Sequence, residues 1–285
     1  MFAGSGYGKR YPVLNRAFVS LYWWLRPDST IVRGSTLRLN PMDAGSLSQD
    51  LLVKGEFEPF ETELFINVIE DRDVIFDVGA NIGYYSVMAS SASKSSSVFA
   101  FEPDEVNFRL LERNLRDNGC LNVRCFQVAV SDRDGPVLLY KCAGNEGDHR
   151  IYPVAGRRST SVEAITLDRF LPLEVPAPRV VKIDIQGAEP QALRGMSRVI
   201  RASPELALFT EFWPEGLAAA GSSAEEYFSL LLSHEFSVYA IIEGARRLEP
   251  IASAAEVSPY LGTYGEANLL CLKGSRALWG NYLPV

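Results

Sequence analysis

Two apolar runs, each interrupted by an acid, set the rhythm of the chain: Val74–Ile75–Phe76–Asp77–Val78 and Val180–Val181–Lys182–Ile183–Asp184–Ile185. Their apolar positions are consecutive rather than alternating, which predicts strands covered on both faces. Ser97–Phe101, Val123–Val130, Leu206–Phe212, Ser237–Ile242 and Asn268–Leu272 read as further strands. Between them the period lengthens to that of a helix. Leu64–Ile69, Tyr84–Ala92 and Ala224–Leu232 fit it, as does the stripe Phe108, Leu111, Leu115, with Asp104 as N-cap and Gly119 as C-cap. Asp132–Arg133–Asp134–Gly135 is a turn signal before Val137–Lys141, giving a hairpin-like return. Cys142–Ser161 is polar and glycine-rich, a long loop of the kind that carries function, and Thr166–Leu171 reads as a short capped helix. The alternation predicts an α/β open sheet.

The first fifty residues break this pattern, so residues 1–50 are taken as an N-terminal extension and 51–285 as the main domain. Val13, Leu14, Ala17, Phe18, Leu21, Trp24 and Leu25 recur at helical spacing, and Ile31–Leu39 suggests a small strand or hairpin. Lys9, Arg10, Arg16, Arg26, Arg33 and Arg38 make this end basic. A helix packed on the main domain or on a second copy is the expectation. A helix lying on an anionic lipid surface is the alternative.

The first acid-bearing strand runs into Asp77–Val78–Gly79–Ala80–Asn81–Ile82–Gly83. Glycines there allow a tight turn and close approach of a ligand. The spacing is not the G-x-G-x-x-G of dinucleotide binders, and Asp77 would repel a pyrophosphate. A cationic nucleoside without phosphates suits it better, which points to S-adenosylmethionine. Glu102, followed by Pro103, closes the next strand about 20 residues on, where this architecture places the acid that holds a ribose diol. Asp77 and Glu102 are therefore expected to face one cleft.

Bulk composition narrows the field. With 285 residues and 47% hydrophobic content a full core is available. A net charge of -7 disfavours nucleic acid as substrate. Cys120, Cys125, Cys142 and Cys271 lack C-x-x-C spacing and only two histidines accompany them, so neither a metal cluster nor a disulfide framework is expected. Asp148, Asp184 and Glu211 have no spacing that demands Mg²⁺, so no metal is assigned. No signal peptide is evident, and Ala17–Leu25 falls short of the ~18 residues of a membrane span. A cytoplasmic protein is expected.

With Asp77–Gly83 and Lys182–Ile183–Asp184–Ile185–Gln186–Gly187–Ala188–Glu189 both in hand, residues 51–242 resemble the FkbM-type methyltransferases. The resemblance implies a Rossmann-like class I methyltransferase sheet of seven strands, mostly parallel, with the last antiparallel. It implies S-adenosylmethionine-dependent O-methylation of a sugar, glycan or natural-product hydroxyl. By position, Asp77, Gly79, Ala80, Asn81 and Gly83 would lie under the methionine part of the cofactor. Glu102 and Pro103 would hold the ribose, Ala129 would lie near the adenine, and Asp184 would stand beside the methyl. Gln186 departs from the family's usual Glu.

An alcohol needs a base as it attacks. His149, in the glycine-rich loop beside Asp148 and Arg150, is the first candidate, and Asp184 is the second. Arg150, Glu189 and Glu211 are assigned to the acceptor, although Glu189 could equally be an acid favoured at a helix N-terminus. Rival readings are N- or carboxyl-methylation and a non-catalytic cofactor-binding scaffold. A homo-oligomer is compatible with the sequence.

Overall fold

The computed structural model describes residues 26–40, 43–170, 175–274 and Trp279. The helix expected over residues 13–25 lies outside them. The centre is an eight-stranded sheet whose parallel part is β3 (Val74–Val78), β4 (Ser97–Phe101), β5 (Val123–Phe126), β9 (Val180–Ile183) and β10 (Leu206–Phe212). β13 (Ala267–Lys273) pairs antiparallel with both β10 and β11 (Ser237–Ile242). With β12 (Arg247–Ile251) at one edge, the order β12-β11-β13-β10-β9-β3-β4-β5 puts the chain reversal between β3 and β9, where doubly wound sheets open a crevice beyond the strand ends. β3 is buried along its whole length, as its uninterrupted apolar run requires.

Helices cover both faces. On one side α2 (Pro59–Asn67), α3 (Tyr84–Ala92) and α4 (Glu105–Asp117) bury Leu64, Phe65, Val87, Met88, Leu111 and Leu115. On the other, α5 (Leu167–Phe170), α6 (Glu189–Gly195), α7 (Ser197–Ala202), α8 (Pro214–Ala219) and α9 (Ala224–Ser233) bury Leu167, Leu193, Ile200, Leu217, Tyr227 and Leu231. Asp104 caps α4, accepting from the N–H groups of Val106 and Asn107. A Ser223–Glu226 capping box starts α9. The four cysteines are free thiols.

Four details differ from expectation. The strand expected over Val123–Val130 breaks after Phe126, and Ala129–Val130 (β6) leaves for a second sheet. There β6 pairs parallel with β8 (Arg158–Ile165), and β8 pairs antiparallel with β7 (Gly135–Lys141). β7 is thus the partner of β8 rather than the return arm of its predecessor. The long loop consequently ends at Arg157. Residues 158–161 were read as loop because they are polar and exposed. Finally, β12 (Arg247–Ile251) adds an eighth strand at the sheet edge. Its sequence, Arg-Leu-Glu-Pro-Ile, carries a proline that only an edge position tolerates.

Upstream, β1 (Ser29–Val32) and β2 (Ser35–Arg38) form a hairpin whose two turn residues, Arg33 and Gly34, are left-handed. The hairpin is fastened to α4. Asn114 accepts from Arg38 N at 2.7 Å and donates to Arg38 O at 3.1 Å. The short helix α1 (Ser46–Val53) follows. Among the described residues no helix is long and apolar enough to cross a membrane.

Candidate active site

The cleft at the ends of β3, β4, β9 and β10 has a volume of about 980 Å³. Its first wall is the β3–α3 turn. Gly79, at φ 84, sits where a Cβ would collide with the carbonyl oxygen of Asp184. The first motif and the second are therefore in direct backbone contact. Gly79 N and Ala80 N both donate to Phe101 O, at 2.9 and 3.0 Å, which ties the turn to β4. Asn81 takes a left-handed conformation at φ 50, and its N–H donates to Glu102 Oε2 at 2.8 Å.

The two acids stand on neighbouring strands and line the same cleft. Asp77, 2% exposed, accepts from Ser86 Oγ at 2.6 Å, and burial pushes its carboxyl up to about 6. Glu102 accepts from Asn81 N and from Asp104 N at 2.8 Å, and burial raises it to about 8. Pro103, Val128, Ala129 and Val130 add an apolar slot beside Glu102.

The opposite side is acid-rich. Asp184 and Glu211 both reach the amide of Gln186, whose Nε2 lies 3.0 Å from Asp184 Oδ1 and 3.4 Å from Glu211 Oε2. An amide N–H can bridge two carboxylates where a third carboxylate would repel them. Gln186 is left-handed at φ 56 and its carbonyl accepts from Tyr152 Oη at 2.7 Å. Burial, reinforced by the nearby Asp184 charge, raises Glu211 well above the usual carboxylate range. Trp213, Tyr260, Tyr264 and Glu266 continue this wall. The Arg150 guanidinium lies over Trp213, 4.5 Å from the ring centre, and is held by Asp148 at 2.5 Å.

Residues 77–238 match the family described as the methyltransferase FkbM domain. The chain belongs to that family.

The matched span is thus an S-adenosylmethionine-dependent methyltransferase domain of FkbM type. The chain is 33% identical over 141 residues to the hexuronic acid methyltransferase AglP of Haloferax volcanii, covering 49% of this chain and 56% of that one. The match therefore spans little more than half of that relative's length. Methyltransferase sdnD of Sordaria araneosa is 26% identical over 193 residues, 54% of this chain and 74% of that protein. A SAM-dependent O-methyltransferase from Thermotoga maritima superposes with a TM-score of 0.44 at 14% identity, over 81% of this chain and 72% of that one.

The FkbM cleft fits an adenosyl cofactor on its own geometry. A side-chain-free turn at Gly79, an acid at each of two adjacent strand ends and the apolar slot at Val128–Val130 supply a backbone cradle, polar anchors and a base pocket. Of the residues singled out in the sequence, Asp77, Gly79, Ala80, Asn81, Glu102, Pro103, Ala129, His149, Arg150, Asp184 and Glu211 line this one cleft. Gly83 and Glu189 do not. Gly83, at φ 89, allows α3 to pass α4, since a Cβ would sit 2.6 Å from Leu111 Cδ1. Glu189 is fully buried and accepts from Ile185 N at 3.0 Å and Gly187 N at 3.2 Å, clamping the turn behind Asp184.

His149 lines the cleft with one ring nitrogen hydrogen-bonded and the other turned toward carboxylates without a hydrogen bond. Nδ1 accepts from Cys142 N at 3.1 Å, which leaves the ring proton on Nε2. That nitrogen faces Glu146 at 3.2 Å and Asp104 at 3.7 Å. Burial lowers its affinity for a second proton.

Sequence reasoning passed over the buried charges beneath the acid-rich side. Lys182, 1% exposed, pairs with Glu61 at 2.5 Å and lies over the Tyr85 ring. Glu58 accepts from Tyr85 Oη at 2.9 Å and Asn268 Nδ2 at 2.7 Å. Burial works against the Lys182 charge, yet the carboxylates of Glu61, Glu58 and Asp184 push its pKa up. A lysine inside an apolar strand was the available signal, because such a group must find a counter-charge.

Proposed function

We propose that this chain transfers a methyl group from S-adenosylmethionine to a hydroxyl of a sugar, glycan or natural-product small molecule, with Asp184 taking the hydroxyl proton. The observation that carries this reading is the seating of Asp184 against Gly79, which brings a carboxylate to the boundary between the cofactor cradle and the acid-rich wall. When bound, the cofactor would supply an electrophilic methyl on a sulfonium. The chain's own residues orient the acceptor and receive its proton. Asp184 is preferred to His149 because both nitrogens of that ring already face other groups. The carboxyl groups of Glu211 and Glu266, which burial shifts toward the protonated form, can exchange hydrogen bonds with hydroxyls, and Trp213 offers an apolar face for a sugar ring. The name of the AglP relative, a hexuronic acid methyltransferase, supports a sugar-type acceptor.

The test is methyl transfer from labelled S-adenosylmethionine to a panel of neutral hexosides, uronosides, aliphatic alcohols, amines and carboxylates. Asp184→Asn should lower turnover of a hydroxyl acceptor by roughly 10²–10⁴-fold while leaving the affinity for S-adenosylhomocysteine, which has no sulfonium charge, within about twofold. His149→Ala should retain most turnover. A dead His149→Ala with a fully active Asp184→Asn would return the base role to the histidine. Labelling of amines or carboxylates alone would favour the rival acceptors.

A further inference from the structure

Part of the cleft is built from residues upstream of the matched 77–238 span, and they are joined to the loop that roofs it. Asp43, Ala44, Gly45 and Leu47 line the cleft, facing Asn145, Glu146 and Gly147. The Asp43 carboxylate, 5% exposed, is the joint. Its Oδ1 accepts from Gly45 N at 2.8 Å and from Glu146 N at 3.0 Å, and its Oδ2 accepts from Ser48 Oγ at 2.5 Å. Beside it, Ala44 N donates to Gly144 O at 2.8 Å. The loop is then tied to the cofactor cradle: Asn107 Nδ2 donates to Glu146 O at 2.8 Å, and Gly147 sits over the Asn81 amide. Asn107 lies in the first turn of α4, a few residues past Glu102.

We infer that residues 43–48 and the 144–147 loop form a two-part roof over the nucleoside end of the cleft, with Asp43 as the positioning residue that latches the parts together. The inference rests on reading this cleft as the S-adenosylmethionine site. One carboxylate holding N–H groups of both parts makes the roof a single body, so cofactor entry and product release require that carboxylate to let go of Glu146. The latch sets how long the adenosyl ligand stays, and Asp43 itself has no part in the proton transfer at Asp184.

The experiment uses the full chain and titrates S-adenosylmethionine and S-adenosylhomocysteine by calorimetry, with hydrogen exchange followed over both segments. Asp43→Ala should weaken both ligands about tenfold, the scale of a lost charge-assisted hydrogen bond. It should also abolish ligand-induced slowing of exchange over 144–147. Gly45→Ala is an independent probe, because a Cβ there would collide with Asn145 Oδ1 and crowd Asp43. It should weaken binding in the same direction while the melting transition stays cooperative. In the unsubstituted chain, S-adenosylmethionine should slow exchange in 43–48 and 144–147 together. Slowing in the loop alone overturns the latch even if Asp43→Ala does not fold, as does wild-type affinity in either variant. A wild-type chain that binds neither ligand overturns instead the cofactor reading beneath it.

Discussion

With Glu102 proposed as the acid that holds the ribose, a single side chain would tie cofactor affinity to pH. Its ordinary value of 4.5 becomes about 8 in the folded protein because it is buried. The folded state therefore holds a proton that the unfolded state releases between these values. The stability this contributes is fully present below 4.5 and is lost as pH rises through about 8. Ribose hydroxyls donate best to an ionised carboxylate, so binding should favour the deprotonated form. S-adenosylmethionine affinity should therefore rise with pH toward about 8, by up to about tenfold per pH unit, while the ligand-free protein loses stability over the same range. Calorimetric titrations from pH 6.5 to 8.5 should show this slope in the wild type and its loss in Glu102→Gln. The acid's placement was legible from the sequence, since a residue ending one parallel strand must lie beside the end of its neighbour. The role of Lys182 was not, because its partners Glu58 and Glu61 come from a segment and a helix more than a hundred residues upstream.

At the scale of elements, strands buried on both faces announced themselves, and β3, β4, β9, β10 and β11 lie where their apolar runs place them. β8 and β12 did not, because they sit in the small sheet and at an edge, where polar residues and proline are tolerated. The docking of the β1–β2 hairpin was only partly legible, since Val32 and Leu37 bury in the core shared with Leu111 and Leu115 while its register on α4 is set by asparagine amides. Asn114, fully buried, also donates to Ile82 O at 2.7 Å, linking hairpin, α4 and the β3–α3 turn. Asn114→Ala should leave Arg38 N and Ile82 O without partners and cost about 2–3 kcal/mol. Urea denaturation would measure it, with the midpoint shifted and the slope unchanged.

For the whole molecule, a net charge of -7 and a cleft whose charged lining is mostly acidic, with Lys182 and Arg150 as its basic members, make a field that favours cations. S-adenosylmethionine carries a positive sulfonium that its product lacks. Raising salt from 0.05 to 0.5 M shortens the screening length severalfold, from above to below the ~10 Å of 0.1 M salt. It should therefore weaken S-adenosylmethionine binding and leave S-adenosylhomocysteine nearly unchanged. Equal salt dependence for the two ligands would contradict an electrostatic preference for the donor. Much of this lining lies outside residues 77–238, at Asp43, Asp50, Glu58, Glu243, Glu266 and Asn268. A sequence motif confined to the matched span shows the donor site far better than the surroundings of the acceptor.

The meeting of Gly79 with the Asp184 carbonyl has a practical consequence for redesign. The Gly79 turn and the Asp184 main chain are indexed to each other directly, so that contact does not depend on which side chains furnish the outer walls. Grafts at Trp213, Tyr260 or Tyr264 should therefore reshape the outer wall of the cleft while the junction of the two motifs stays in place.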